Sequence, residues 1–142
     1  MNIKEIILQK LQQKEASCIL LKEGHIVYEA NGRGVAPLLY AYQSDPALLQ
    51  NAFVYDKIIG KAAAILLVLG GVRGAYGEIM SESAYCYLCA NGIEAQCAKR
   101  IPYIINRKGD DLCPLENSVL NIEDAQKGYE SILLTIESLR SQ

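Results

Sequence analysis

The stretch YDKIIGKAAAILLVLGGV, Tyr55 to Val72, decides the fold class. Asp56 reads as a helix cap, because a short side-chain oxygen can accept from the free N–H groups of a first turn. The helix it would start, Lys57 to Leu69, stops at Gly70-Gly71, where a residue without Cβ turns left-handed at little cost. Ala62, Ala63 and Ala64 followed by Ile-Leu-Leu-Val-Leu make this helix apolar nearly all round, so it packs on several sides. The apolar run from Ala62 to Val72 is too short to span a bilayer and belongs inside a folded domain.

Gly60-Lys61 invites comparison with a phosphate-binding loop, but the match fails. Tyr55 stands where the first glycine is needed and Ala62 where the hydroxyl ligand of Mg²⁺ is needed. What remains is a helix start with Lys57 and Lys61 one turn apart, a candidate anion site if the two lysines do not simply snorkel to water. Lys61 lies in a helix otherwise apolar all round, so it must exit through a cleft or be paired.

Upstream, Ile3, Ile6, Ile7 and Leu11 recur at helical spacing and form an amphipathic first helix. Cys18 to Leu21 and His25 to Tyr28 are apolar runs joined by Lys-Glu-Gly, a hairpin signal. Asn31-Gly32-Arg33-Gly34 is a loop, and Arg33 with its backbone N–H groups can wrap an anion or simply close a turn. Val35 to Gln43 is a short helix with Pro37 in its first turn, and Asp45-Pro46 opens another turn. Downstream, Val72 to Met80 is a strand, Ser81 caps a helix to Ala90, and Ile93 to Cys97 is a strand. Ile101 to Ile105 is apolar but holds Pro102 and fits strand or helix. Asp124 to Leu139 is a last amphipathic helix. Helices alternating with strands after a hairpin give one α/β domain over residues 1–142, three layers around a mixed sheet.

Composition narrows the function classes. The net charge is -2 and nine tyrosines are scattered without a stacking motif, which excludes wholesale nucleic-acid binding. The N-terminus lacks the apolar core of a signal peptide, so a cytoplasmic protein without membrane contact is expected. The five cysteines are free thiols in such a compartment. Cys86 and Cys89 have metal-ligand spacing, but no second pair completes a zinc site, and core thiols are the better reading. His25 is the single histidine and reads as a surface residue.

NRKGDDLCPLENSVL, Asn106 to Leu120, is the richest polar segment. Pro114 fits a first helical position, which puts Cys113 at the cap, where the helix dipole favours thiolate. Arg107 and Lys108 can fold back toward it, and Glu116 in the first turn can serve as a general base. The bland alternative is a buried cysteine capping a helix beside a solvated basic loop.

NGRGVAPLL, YDKIIGKAAAILLVLGGVRGAYGEIMSESA and IPYIINRKGDDLCPLE together resemble a prokaryotic family of proteins of unknown function placed by fold in the cytidine-deaminase-like superfamily. The resemblance implies an α/β/α sandwich around about five strands. Zinc deaminases carry His or Cys, then Glu, at the start of the central helix and Pro-Cys-x-x-Cys at the next. Here those starts read Asp56 to Lys61 and Ser81-Glu82-Ser83-Ala84, so no metal and no cofactor are expected. The fold would keep a pocket lined by Asp56, Lys57, Lys61 and Ser81 and closed by Asn106 to Glu116. The expected function is binding of a small anionic or nucleotide-like ligand by Lys57, Lys61, Ser81, Asn106, Arg107 and Arg33. An enzyme on this scaffold would be a zinc-independent hydrolase or transferase, with Cys113 as nucleophile and Asp56 or Glu116 as acid and base. The alternative is a non-catalytic regulatory or interaction module. The first and last helices can cover the sheet or form a homodimer contact.

Overall fold

The computed structural model describes every residue except Arg107 and Gln142. Helix α1 (Ile3–Gln12) starts at Asn2, whose side-chain oxygen accepts the Glu5 backbone N–H at 2.8 Å. Its apolar stripe buries Ile7 and Leu11, as the spacing requires. Strands β1 (Cys18–Lys22) and β2 (His25–Ala30) form the hairpin. Only Glu23 and Gly24 separate them, at φ of 48° and 80°. Two left-handed residues match the twist of the strands they join. Helix α2 (Ala36–Ser44) has Pro37 in its first turn and leads into a single 3-10 turn at Pro46–Leu48.

The deciding stretch departs from its reading. Strand β3 (Phe53–Ile59) runs straight through Asp56 and Lys57, and helix α3 (Lys61–Gly70) begins only after Gly60. Asp56 is therefore not a helix cap, and Lys57 and Lys61 share no helix face. Phe53, Val54, Tyr55, Ile58 and Ile59 are aromatic or β-branched and suit a pleated surface. Pairing settles the matter, because β3 is antiparallel to β1 on one side and parallel to β4 (Gly74–Ser81) on the other. Two full ladders outweigh one local cap. The far end of α3 is as expected: Gly71 sits at φ 74° and its N–H donates to the Leu67 and Val68 carbonyls.

Helix α4 (Glu82–Ala90) is capped by Ser81, whose Oγ accepts the Ala84 N–H at 3.1 Å. Strand β5 (Glu94–Ile101) runs four residues past the expected end at Cys97, since it stays in register with β4 as far as Ser81 opposite Ile101. Helix α5 (Pro114–Val119) and helix α6 (Ala125–Arg140) complete the chain. No helix is long and apolar enough among the described residues to cross a membrane.

The sheet order is β2-β1-β3-β4-β5. Helices α3 and α4 are the crossovers of two successive parallel units that advance in one direction, so a uniform hand puts both on one face. Helices α2, α5 and α6 join them there around Val54, Ile65, Ala75 and Ile132. Helix α1 lies on the opposite face over Ile19, Phe53 and Tyr55. The result is the three layers around a mixed sheet that the element pattern implies, with the α/β/α order and five strands that the family resemblance implies.

One contact ties the layers to the later segment. Helix α3 has no cap of its own, because Gly60 carries no side chain. Glu116 of α5 supplies one: Oε1 accepts the Lys61 N–H at 2.7 Å and Oε2 the Ala62 N–H at 3.0 Å. The carboxylate also meets the positive end of the helix dipole. A Cβ on residue 60 would overlap that carboxylate, so glycine is what permits the approach. Beyond α5, Lys61 Nζ donates to the Leu120 carbonyl at 3.1 Å and pairs with Glu123 at 3.5 Å. The Tyr87 hydroxyl donates to the Glu123 carbonyl at 2.8 Å.

Glu116→Ala leaves two buried N–H groups without acceptors and is expected to cost about 3 kcal/mol in denaturant unfolding. Gly60→Ala evicts the same carboxylate and should cost a similar amount. Because both variants remove one interaction, the double variant should cost little more than either alone. Full additivity would show that Gly60 and Glu116 act separately.

Candidate functional site

Register brings the site together. Cys18 of β1 lies opposite both Ala30 of β2 and Asp56 of β3. The start of β1, the end of β2 and the second half of β3 therefore share one end of the sheet. Ser17 locks that end. Its N–H donates to the Ala30 carbonyl at 2.9 Å, and its own carbonyl accepts the Lys57 N–H at 3.1 Å. Its Oγ accepts the Gly32 N–H at 2.9 Å, which fixes the Asn31–Gly34 loop.

A cleft of about 550 Å³ opens here, at the crevice beyond the strands where open α/β sheets bind ligands. Ser17, Asp56 and Gly60 form its floor, the loop with Arg33 one wall, and Ile104, Cys113 and Glu116 the other. The second wall is itself shaped by sequence. Asn106 Oδ1 accepts the Gly109 N–H at 2.9 Å, while its Nδ2 donates to Asp110 at 3.0 Å. Ile105 bridges Leu112, and the Cys113 N–H donates to the Ile104 carbonyl at 3.0 Å.

Electrostatics single out Asp56. It is 6% exposed. Burial pushes its carboxyl up to about 8, although the Ile58 and Lys57 N–H groups and the Cys18 thiol pull the other way. The Cys18 thiol is itself raised, first by burial and then by Asp56. Glu116 is also raised by burial, against the Ala62 and Lys61 N–H groups and the Lys61 charge. Burial thus favours the protonated form of Asp56, in which the carboxyl carries an O–H donor. Arg33 and Lys57 line the same cleft without an ion-pair partner among the described residues.

Of the expected site residues, Asp56, Lys57, Arg33, Cys113 and Glu116 meet at this cleft. Asn106 faces an adjoining groove. Lys61 is buried but turns to Leu120 and Glu123, and Ser81 caps α4, so neither is among the lining residues. Arg107 lies outside the described residues. Ser17 was not anticipated. Counting back from the hairpin turn would point to it, but a register shift between Leu20 and Leu21 spoils a simple count. Cys86 and Cys89 correct the expectation of core thiols. Both are exposed, because α4 buries Ala84, Tyr87 and Leu88 on its other face.

Residues 6–134 match the family model TM1506, a domain of unknown function (DUF1893). The chain belongs to this family. The fold is similar to that of the DUF1893 protein TM1506 from Thermotoga maritima, with a TM-score of 0.81 and 23% identity over 96% of this chain and 89% of that one. A more distant likeness is to RibD from Acinetobacter baumannii, with a TM-score of 0.51 and 14% identity over 66% of this chain and 34% of that one. None of the curated proteins compared matches the sequence. The likenesses speak for the fold alone. The deaminase zinc does not fit the residues present: Gly60-Lys61 and Ser81-Glu82 offer no His or Cys at the helix starts. Among the described residues, no three His, Cys, Asp or Glu side chains converge as metal ligands.

A carboxyl raised from 3.8 to about 8 holds its proton in the folded state longer than in the unfolded one. Its contribution therefore favours folding at low pH and is lost as pH rises through that window. Asp56→Asn should remove this downward slope of unfolding free energy between those values, leaving the stability of the variant flatter with pH. An unchanged slope would mean that Asp56 ionises at an ordinary pH.

Proposed function

We propose that the cleft binds a small anionic or nucleotide-like molecule without zinc. The observation that carries this reading is a charge imbalance. Among the described residues two acids line the cleft, Asp56 and Glu116. Protonation largely neutralises the first, and the second has both oxygens on the α3 N-terminus. Arg33 and Lys57 are left to set the field. The cleft is within the usual size range of small-molecule sites.

Asp56 favours a ligand site over a purely structural role. Burying an acid costs stability unless it is well paired. The fold keeps one where the cleft opens, a pattern characteristic of functional sites. As an O–H donor it can bond a carbonyl or ring nitrogen, while Arg33 and Lys57 take the anion. Cys113 lines the same space and is the nucleophile that turnover would use.

Titration calorimetry with cytidine 5′-monophosphate, inorganic phosphate and short dicarboxylates tests the reading. Saturable binding is expected for at least one of them. Arg33→Ala and Lys57→Ala should each weaken it by about tenfold, the loss of roughly 1.4 kcal/mol. Lys61→Met should lower stability and leave affinity unchanged, because its ammonium is tied to Leu120 and Glu123. Binding indifferent to Arg33 and Lys57, or no binding by any probe, defeats the proposal.

A further inference from the structure

A second hollow of about 700 Å³ lies between α2, α6 and the segment around Ile105 and Cys113. It is continuous with the first, since Arg33, Gly34, Val35, Ile105, Cys113 and Leu115 line both. It differs in the charged groups that line it: Leu39, Tyr40, Ile105, Leu115, Ile136 and Leu139 give it apolar walls, and among the described residues no acid lines it. Arg33 stands at the junction and Arg140 on the rim, neither with an ion-pair partner among the described residues.

The exposure of these walls carries the argument. Tyr40 is 66% exposed, Ile105 50% and Leu139 42%. Scattered exposed apolar side chains are ordinary, but three on one groove that continues into a cleft holding charged side chains are a feature of ligand sites. An uncharged partner would leave the arginines without use, and a small polar anion would leave the groove wet.

We infer that the ligand is an anionic amphiphile, with its charged head between Arg33 and Lys57 and an apolar arm along the groove between α2 and α6. The inference rests on the anion-binding reading of the first cleft and names the class of molecule it takes. Carboxylate and phosphate heads share the chemistry that Arg33 recognises. The arm gains by leaving water, at about 0.8 kcal/mol per buried methylene. Asp56 then donates to an oxygen of the head rather than repelling it.

Calorimetric titration of the full chain with decanoate, decyl phosphate and decanol, all below aggregation, tests this. One of the two anions should bind at one per chain, and whichever binds tighter identifies the head. Decanol should bind at least tenfold more weakly. Leu139→Glu and Tyr40→Ser, at exposed positions that leave the core intact, should each weaken the anion at least tenfold. They should leave binding of cytidine 5′-monophosphate or phosphate unchanged. Decanol equal to the anions, or anion binding indifferent to both variants, overturns the inference. So does a dimer in sedimentation that Leu139→Glu dissolves, since a second copy then covers the groove. Failure of both decyl anions while a short anion binds sinks this inference alone; failure of every probe sinks the reading of the first cleft as well.

Discussion

The Glu116 carboxylate on the first turn of α3 is the contact on which the site depends. It joins residues 55 positions apart and replaces a cap that α3 cannot make for itself. Three consequences follow from one pair of hydrogen bonds. Two of the N-terminal N–H groups of a helix buried nearly all round are satisfied. Helix α5, a short element with little core of its own, is fixed in place. Its position in turn holds Cys113 and Leu115 as a wall of the cleft. The same bonds occupy the place where an anion would otherwise meet the helix, so among the described residues the unpaired cations lining the cleft are Arg33 and Lys57.

An α/β/α sandwich whose helix starts carry no metal donors makes physical sense in this light. The fold still brings two helix starts to one end of the sheet. At one of them Gly60 admits a carboxylate from the chain itself, and at the other Ser81 caps α4 internally. Both ends are closed by protein groups. Asp56, the buried acid on β3 beside the antiparallel hairpin, stands a few residues before the first of them. Lys61 shows the same economy: it is paired, as its apolar surroundings require, but with the segment after α5 instead of a ligand.

Much of the fold was legible because it rests on local patterns. Helices α1 and α6 follow their apolar spacing, the hairpin follows its glycine turn, and α3 stops at its glycines. The error at Asp56 has a clear cause. An acid before an apolar run imitates a cap, whereas the ladders that hold it in β3 come from strands distant in sequence. The site was half legible. Asp56, Cys113, Glu116, Lys57 and Arg33 were named from residue type, but their roles depend on which partner each finds. Nothing local to Glu116 reveals Gly60, and nothing local to Ser81 reveals that it is not among the residues lining the cleft. Cys86 and Cys89 failed for a smaller reason, a misjudged face on one helix.

The claim on which all of this turns is that Asp56 is an acid held neutral at the floor of an anion-binding cleft. Carbon-13 NMR of side-chain carboxyls, with Asp56→Asn to assign the resonance, measures it directly. The account expects the Asp56 signal to titrate near pH 8, far above the ordinary 3.8. Titration near the ordinary value would contradict it, because an ionised Asp56 would cancel the charge that Arg33 and Lys57 offer a ligand.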